Sequence, residues 1–246
     1  MKNWIAVFSF SGRCSEADVD ISRDVWIHYA CMNPGTDFRQ DRNLTKKKEG
    51  KIMAKVSIHP TNDFCPQTLF LYGTYDDEGQ ANFGLFCWFS YTWDGEMGVM
   101  ACIGGNKLTR ENIHKRKVFS ANLVTEDLLP LADYLGNTPG FSLKKKAMDF
   151  ETEEGRILPV PVLKASPVVF ELEVRQFIPL KDGEVMLCGI RNVLQEDLLA
   201  DEAESSAKKL AAIAPVRTTC KEYFGWDGRS LGAWGEPGKA VSAAES

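Results

Sequence analysis

Three short Asp/Gly clusters dictate how this chain can turn. "DDEG" at 76–79, "WDGE" at 93–96 and "KDGE" at 181–184 each separate runs rich in aromatic and β-branched residues. Gly takes positive φ without steric cost and Asp bonds its own backbone, so such clusters between strand-like runs favour tight hairpins. The flanking runs, 67–76, 81–92, 96–104, 118–124, 167–180 and 184–194, read as strands. Six strands joined largely by hairpins predict a mainly β fold, a six-stranded antiparallel barrel whose closure removes exposed edges.

Helices are expected to be short and peripheral. "TRENIHKRK" opens on Thr109 as a candidate N-cap. "TEDLLPLADYLG" opens on Thr125, carries Glu126 and Asp127 in its first turn and stops at Gly136. "EDLLADEAESSAKKLAAI" reads as one longer helix, and the small polar tail 231–246 reads as flexible.

Charge divides the chain at Met53. Residues 1–52 hold 9 Lys/Arg against 7 Asp/Glu, while 53–246 hold 20 against 27, so the net charge of -5 belongs wholly to the second part. Residues 1–52 also lack sustained periodicity and end in a basic run, "NLTKKKEGKI". Read as codons, "KKEGKIM" can encode an A-rich stretch, then GAGG, then a short spacer and ATG, the form of a bacterial ribosome-binding site. The expectation is that 1–52 is a non-native or disordered leader with the true start at Met53, followed by a domain over 53–230. A solvated basic linker joining a small N-terminal module is the alternative.

The acidic balance argues against nucleic acid as a partner. No apolar run approaches the roughly 18 residues of a membrane span, and a cytoplasmic location is expected. The seven cysteines have no C-x-x-C spacing. They read as free thiols acting as small core residues in a reducing compartment, with a redox role at Cys87 or Cys188 if either borders a cofactor. His28, His59 and His114 show no metal-ligand spacing, and no metal is expected.

Three features together point to a ligand with a phosphate and a flat apolar ring. "QANFGLFCWFSYTW" (80–93) carries Asn82 and Trp88 an even number of residues apart, on one face if the strand is continuous. "GGNKLTRENI" (104–113) joins glycines to a helix start with Lys107 and Arg110 nearby, a place suited to an anion. "FSLKKKAMDF" (141–150) adds three lysines. Each also has an ordinary reading, as barrel core, Gly turn and solvated loop.

Residues 64–136 resemble the flavin reductase-like family, and the flavoredoxins within it. The resemblance is carried by Pro66, "DDEGQANFGLFCWFS", "LTRENI" and "VFSANLVTEDL", with weaker echoes in "MLCGIRNVLQED" and "CKEYFGW". It implies the FMN-binding split barrel, a homodimer with flavin near the subunit interface, and flavin contacts at Asn82, Trp88, Thr109 and Lys145. Phe89 and Ser90 would offer backbone N–H groups to the ring, and Lys107 would add charge at the phosphate. The expected activity is hydride transfer from NAD(P)H to flavin and on to free flavin or a redox partner protein. A one-partner electron carrier with little NAD(P)H activity is the alternative. No Gly-rich dinucleotide fingerprint follows a strand, so a nicotinamide would have to meet the flavin directly. "TWDGEM" and "CIGGNK" depart from the family pattern beside the third strand.

Overall fold

A computed structural model describes residues 55–244. The expected leader over 1–52 and the start at Met53 lie outside the described residues. The chain divides into two units, Met1–Ile58 and His59–Ser246, and the fold below is that of the second.

Its elements run β1 (Gln67–Thr68), β2 (Phe70–Tyr75), β3 (Ala81–Phe86), β4 (Phe89–Trp93), β5 (Met97–Gly104), α1 (Leu108–Arg116), β6 (Val118–Leu123), α2 (Leu129–Asn137) and α3 (Leu143–Lys146). Then follow β7 (Thr152–Glu154), β8 (Pro161–Leu163), β9 (Val168–Leu180), β10 (Gly183–Gln195), α4 (Ser206–Ile213), β11 (Arg217–Thr218), β12 (Glu222–Phe224), β13 (Ser230–Ala233) and α5 (Lys239–Ala244).

The fold is mainly β, as expected, but the large antiparallel sheet has seven strands where six were expected, in the order β3-β2-β6-β9-β10-β5-β4. The difference arises because the run 81–92 breaks at Cys87 and Trp88. β3 pairs with β2 at one edge, and β4 pairs with β5 at the other. The two edges are consecutive in the chain, so the sheet must curl until they meet. Phe70 of β2 accordingly stacks on Phe89 of β4 with ring centroids 4.3 Å apart, and both contact Phe170 of β9.

The hairpin turns form as read. Asp76 Oδ1 accepts the backbone N–H groups of Glu78 and Gln80, and Gly79 takes φ +78°. Inside the curled sheet, Phe70, Tyr72, Val99, Ile103, Phe119, Leu172 and Met186 form one core, with Ile113 of α1 inserted into it. A second core lies on the outer face, where Leu69, Leu71 and Phe83 meet Leu128, Leu135, Val216 and Tyr223. This outer core joins the sheet to α2 and to a small sheet ordered β1-β11-β12-β13.

Three helix boundaries differ from the sequence reading. Lys107, not Thr109, is the N-cap of α1, and Thr109 is buried within the first turn. α2 starts four residues beyond Thr125, with Pro130 in its first turn, because Thr125 is held in a β-bridge to Pro215. The long helix expected over 196–213 is broken into a 3-10 turn at Asp197–Leu199 and α4. Ser205 caps α4 by accepting the Lys208 N–H, a local bond that competes with continuation of the preceding turn.

The segment read as a loose tail is instead tied down at its start. Asp133 of α2, fully buried, accepts the Tyr223 hydroxyl at 2.6 Å and the N–H groups of Gly235 and Gly238 at 2.9 and 2.8 Å. Burial and this carboxylate together hold the Tyr223 phenol well above its ordinary range. Asp133→Ala strands these donors away from water. Urea denaturation is expected to show a loss of about 3 kcal/mol, with faster proteolysis of residues 230–244 than in the wild type.

Candidate functional site

Two hollows share one wall. The first, about 240 Å³, is lined by Gly84, Lys107, Thr109, the end of α2 with the loop after it (135–141) and Lys145. The second, about 270 Å³, is lined by Leu69, Cys87, Trp88, Cys102, Gly104, Thr218, Cys220 and Trp234. Leu85, Phe86, Lys107 and Gly136 border both, so the two form one cleft with a cationic end and an apolar end.

The cationic end is built around the start of α1. Its N-cap residue makes no side-chain capping bond, which leaves the first-turn N–H groups to face an incoming acceptor. Glu111 in the first turn and His114, Lys115 and Arg116 in the last suit the helix dipole, and Lys117 closes the helix in the left-handed region at φ 62°. Thr109 is held from behind. Its Oγ1 accepts Asn82 Nδ2 at 3.0 Å, and Thr74 Oγ1 accepts Asn112 Nδ2 at 3.0 Å. Gly84 is required here, because a Cβ would stand 2.7 Å from Thr109 Oγ1.

Lys145 is the buried member of the lysine triplet, while Lys144 and Lys146 are exposed. Its ammonium donates to the carbonyls of Leu135 and Thr138 at 2.8 and 3.4 Å, at the end of α2. Burial and the nearby charge of Lys107 push its pKa down to about 8. Three N–H groups on an ammonium with two carbonyl partners leave one donor for the cleft.

The expected site residues do not all converge. Trp88, Lys107, Thr109 and Lys145 line the cleft. Asn82 does not line it, and its Nδ2 group donates to Thr109 and Thr74. Phe89 turns into the barrel against Phe70, its N–H bonds the Cys87 carbonyl at 3.0 Å, and it does not line the cleft. Ser90, exposed on β4, does not line the cleft, because the chain has crossed to the other sheet edge. Arg110 turns away to the buried Glu184, with Nε 3.2 Å from the carboxylate. The wall from Thr218, Cys220 and Trp234 was not legible in the sequence, since those residues lie far along the chain from the motifs they meet.

The donor set fits a phosphorylated ring. Two lysines, a hydroxyl and a helix start suit a phosphate, and the apolar end with Trp88 suits a flat ring. A larger hollow, about 530 Å³, lies beside Thr125 and Pro167, but it is bordered by Glu126, Asp127 and Glu196 and by no cation.

Residues 63–208 match the family model described as flavin reductase like domain, and the chain belongs to that family. A sequence comparison with curated proteins found no match. Among solved structures, the chain is similar to flavoredoxin from Methanosarcina acetivorans, with a TM-score of 0.63 and 21% identity over 77% of this chain and 100% of that one. It is also similar to flavoredoxin of Desulfovibrio vulgaris (Miyazaki F), with a TM-score of 0.61 and 20% identity over 70% and 93%. A third is the FMN-binding protein from Thermus thermophilus with bound p-hydroxybenzaldehyde, with a TM-score of 0.57 and 17% identity over 72% and 95%. These likenesses establish the fold, and family membership supports a flavin-binding redox role.

Lys145 gives the cleft a pH dependence. An anion at the cationic end favours the ammonium form, so affinity for FMN should be highest below the Lys145 pKa and fall as pH rises through it. Titration by flavin fluorescence quenching is expected to show roughly tenfold weaker binding at alkaline than at neutral pH. Lys145→Ala should bind weakly at all pH values with that slope gone.

Proposed function

We propose that this protein is an FMN-binding oxidoreductase of the flavin reductase-like type that takes hydride from NAD(P)H and passes electrons to an acceptor, free flavin or a partner protein. The observation that carries the reading is the single cleft whose cationic end meets an apolar end at Lys107 and Gly136. FMN, when bound, supplies the hydride and electron chemistry. The chain supplies placement. Lys107, Thr109 and the α1 start hold the phosphate, with Lys145 adding charge from below. Asn82 acts through Thr109 rather than on the ligand, and Trp88 covers the ring. Gly104 lies near the Trp88 ring, where a Cβ would make an ordinary contact 3.8 Å from its Cζ3.

Electron transfer with little NAD(P)H activity is the second reading, favoured by the likeness to two flavoredoxins. Anaerobic spectra separate the two. Purified protein reconstituted with FMN should show the oxidised flavin bands and lose them within seconds of adding NADH or NADPH. Bands that persist until dithionite is added would replace the reductase by the carrier. Failure to take up FMN would end both.

A homodimer is part of the proposal. β4, an edge strand of the large sheet, exposes Tyr91 and Trp93, and Met97 stands opposite Trp93 on the same side. A second copy covering this edge would bury these three side chains. Light scattering is expected to give the mass of two chains, and Trp93→Glu should shift it to one. A cytoplasmic location accords with the free thiols at Cys65, Cys87, Cys102, Cys188 and Cys220. Among the described residues, no helix is long and apolar enough to cross a membrane.

A further inference from the structure

The apolar end of the cleft contains a pair of sulfurs. Cys87, at the break between β3 and β4, and Cys220, in the turn between β11 and β12, are 133 residues apart in sequence, yet their Sγ atoms lie 3.4 Å apart. Both line the hollow beside Trp88 and Trp234. No disulfide joins them; both are free thiols within S–H···S contact.

Cys220 is held in this position at a cost. Its φ of 64° lies in the left-handed region that non-Gly residues seldom adopt, and its N–H is fixed by Thr218 Oγ1 at 2.9 Å. Asn62 Nδ2 approaches the Cys220 sulfur at 3.8 Å. Cys220 is partly exposed, whereas Cys87 is buried. Burial, reinforced by the Cys220 sulfur, pushes the Cys87 thiol pKa up, which keeps Cys87 protonated. The more exposed Cys220 is the one to meet an oxidant, and Cys87, 3.4 Å away, is the thiol within reach of its product.

We propose that Cys87 and Cys220 form a reversible disulfide on the cleft wall when the protein meets hydrogen peroxide. The Cys220 sulfur attacks one peroxide oxygen, the O–O bond breaks, and sulfur is oxidised by two electrons to the sulfenic acid while hydroxide leaves and collects the thiol proton as water. The Cys87 sulfur then attacks the sulfenic sulfur. The S–S bond forms, the S–O bond breaks, and the departing hydroxide takes the Cys87 proton. In sum two thiols and one peroxide give one disulfide and two waters. A disulfide needs its sulfurs at about 2.05 Å, so the pair must close by little more than an ångström. The bridge ties the β3–β4 break, the point where the sheet curls, to the C-terminal sheet that forms the opposite wall.

The pair is defined by the protein alone, so its test does not depend on FMN. The full chain is reduced with dithiothreitol, desalted, treated with equimolar hydrogen peroxide and mapped by peptide mass spectrometry. The expected product is a peptide joining Cys87 to Cys220, two hydrogens lighter than its parts and separated again by dithiothreitol. Cys87→Ser should stop at a Cys220 sulfenic acid that dimedone traps. Cys220→Ser should react with peroxide about tenfold more slowly or less. A bridge from either sulfur to Cys102, the absence of the Cys87–Cys220 peptide from wild type, or wild-type reactivity in Cys220→Ser would overturn the proposal. The wild-type map decides the matter even if a serine variant fails to fold, which circular dichroism reports.

Discussion

Everything at the cationic end depends on how α1 is seated on the barrel. Four buried polar side chains, Thr74, Asn82, Thr109 and Asn112, bond across β2, β3 and α1, while Ile113 of the same helix enters the apolar interior. A polar cluster inside an apolar surround is costly unless satisfied, and satisfied it admits few alternative arrangements. The helix is thereby fixed in both depth and rotation. Its first turn and Thr109 hydroxyl face the cleft as a consequence of core bonding, before any ligand is present.

The apolar end has a different origin. It is a seam between the curled sheet and the C-terminal sheet, which share the outer core through Leu69, Val216 and Tyr223. Asp133 reinforces that seam by gathering Tyr223, Gly235 and Gly238 onto α2. Residues from opposite ends of the domain therefore make one wall, and a change in the C-terminal strands alters the cleft without touching the motif strands.

The parts of the fold that depend on local chemistry were legible in the sequence. Asp76 with Gly79 marks a turn whichever strands it joins, and the aromatic runs mark strands whatever they pair with. Pairing itself is not local. Leu85 to Phe89 is a continuous apolar run with no turn residue in it, so nothing in it announces that the chain leaves one sheet edge at Phe86 and joins the other at Phe89. That crossing is why Phe89 and Ser90 do not line the cleft while Trp88 does. Thr125 is a sound capping residue by type, but a tertiary bridge to Pro215 outweighs the cap. Likewise three adjacent lysines look alike until α3 buries one of them under α2. β11 and β12, two and three residues long, are too short for periodicity to reveal, and with them went the Cys220 wall.

Charge placement separates the cleft from the rest of the surface. The chain carries a formal net charge of -5, yet no Asp or Glu lines either hollow of the cleft, while Lys107 and Lys145 do. The hollow by Thr125 shows the opposite pattern, bordered by three carboxylates. An anion approaching an acidic protein is repelled over most of the surface and attracted where low-dielectric walls focus the field of the two lysines. Those lysines also repel each other, and the nearness of Lys107 adds to the burial that lowers the Lys145 pKa. Bringing two cations together without a neighbouring carboxylate raises the free energy of the empty cleft, and a bound phosphate relieves it. The same arrangement that destabilises the empty site thus selects for a dianionic ligand over a neutral one of similar shape.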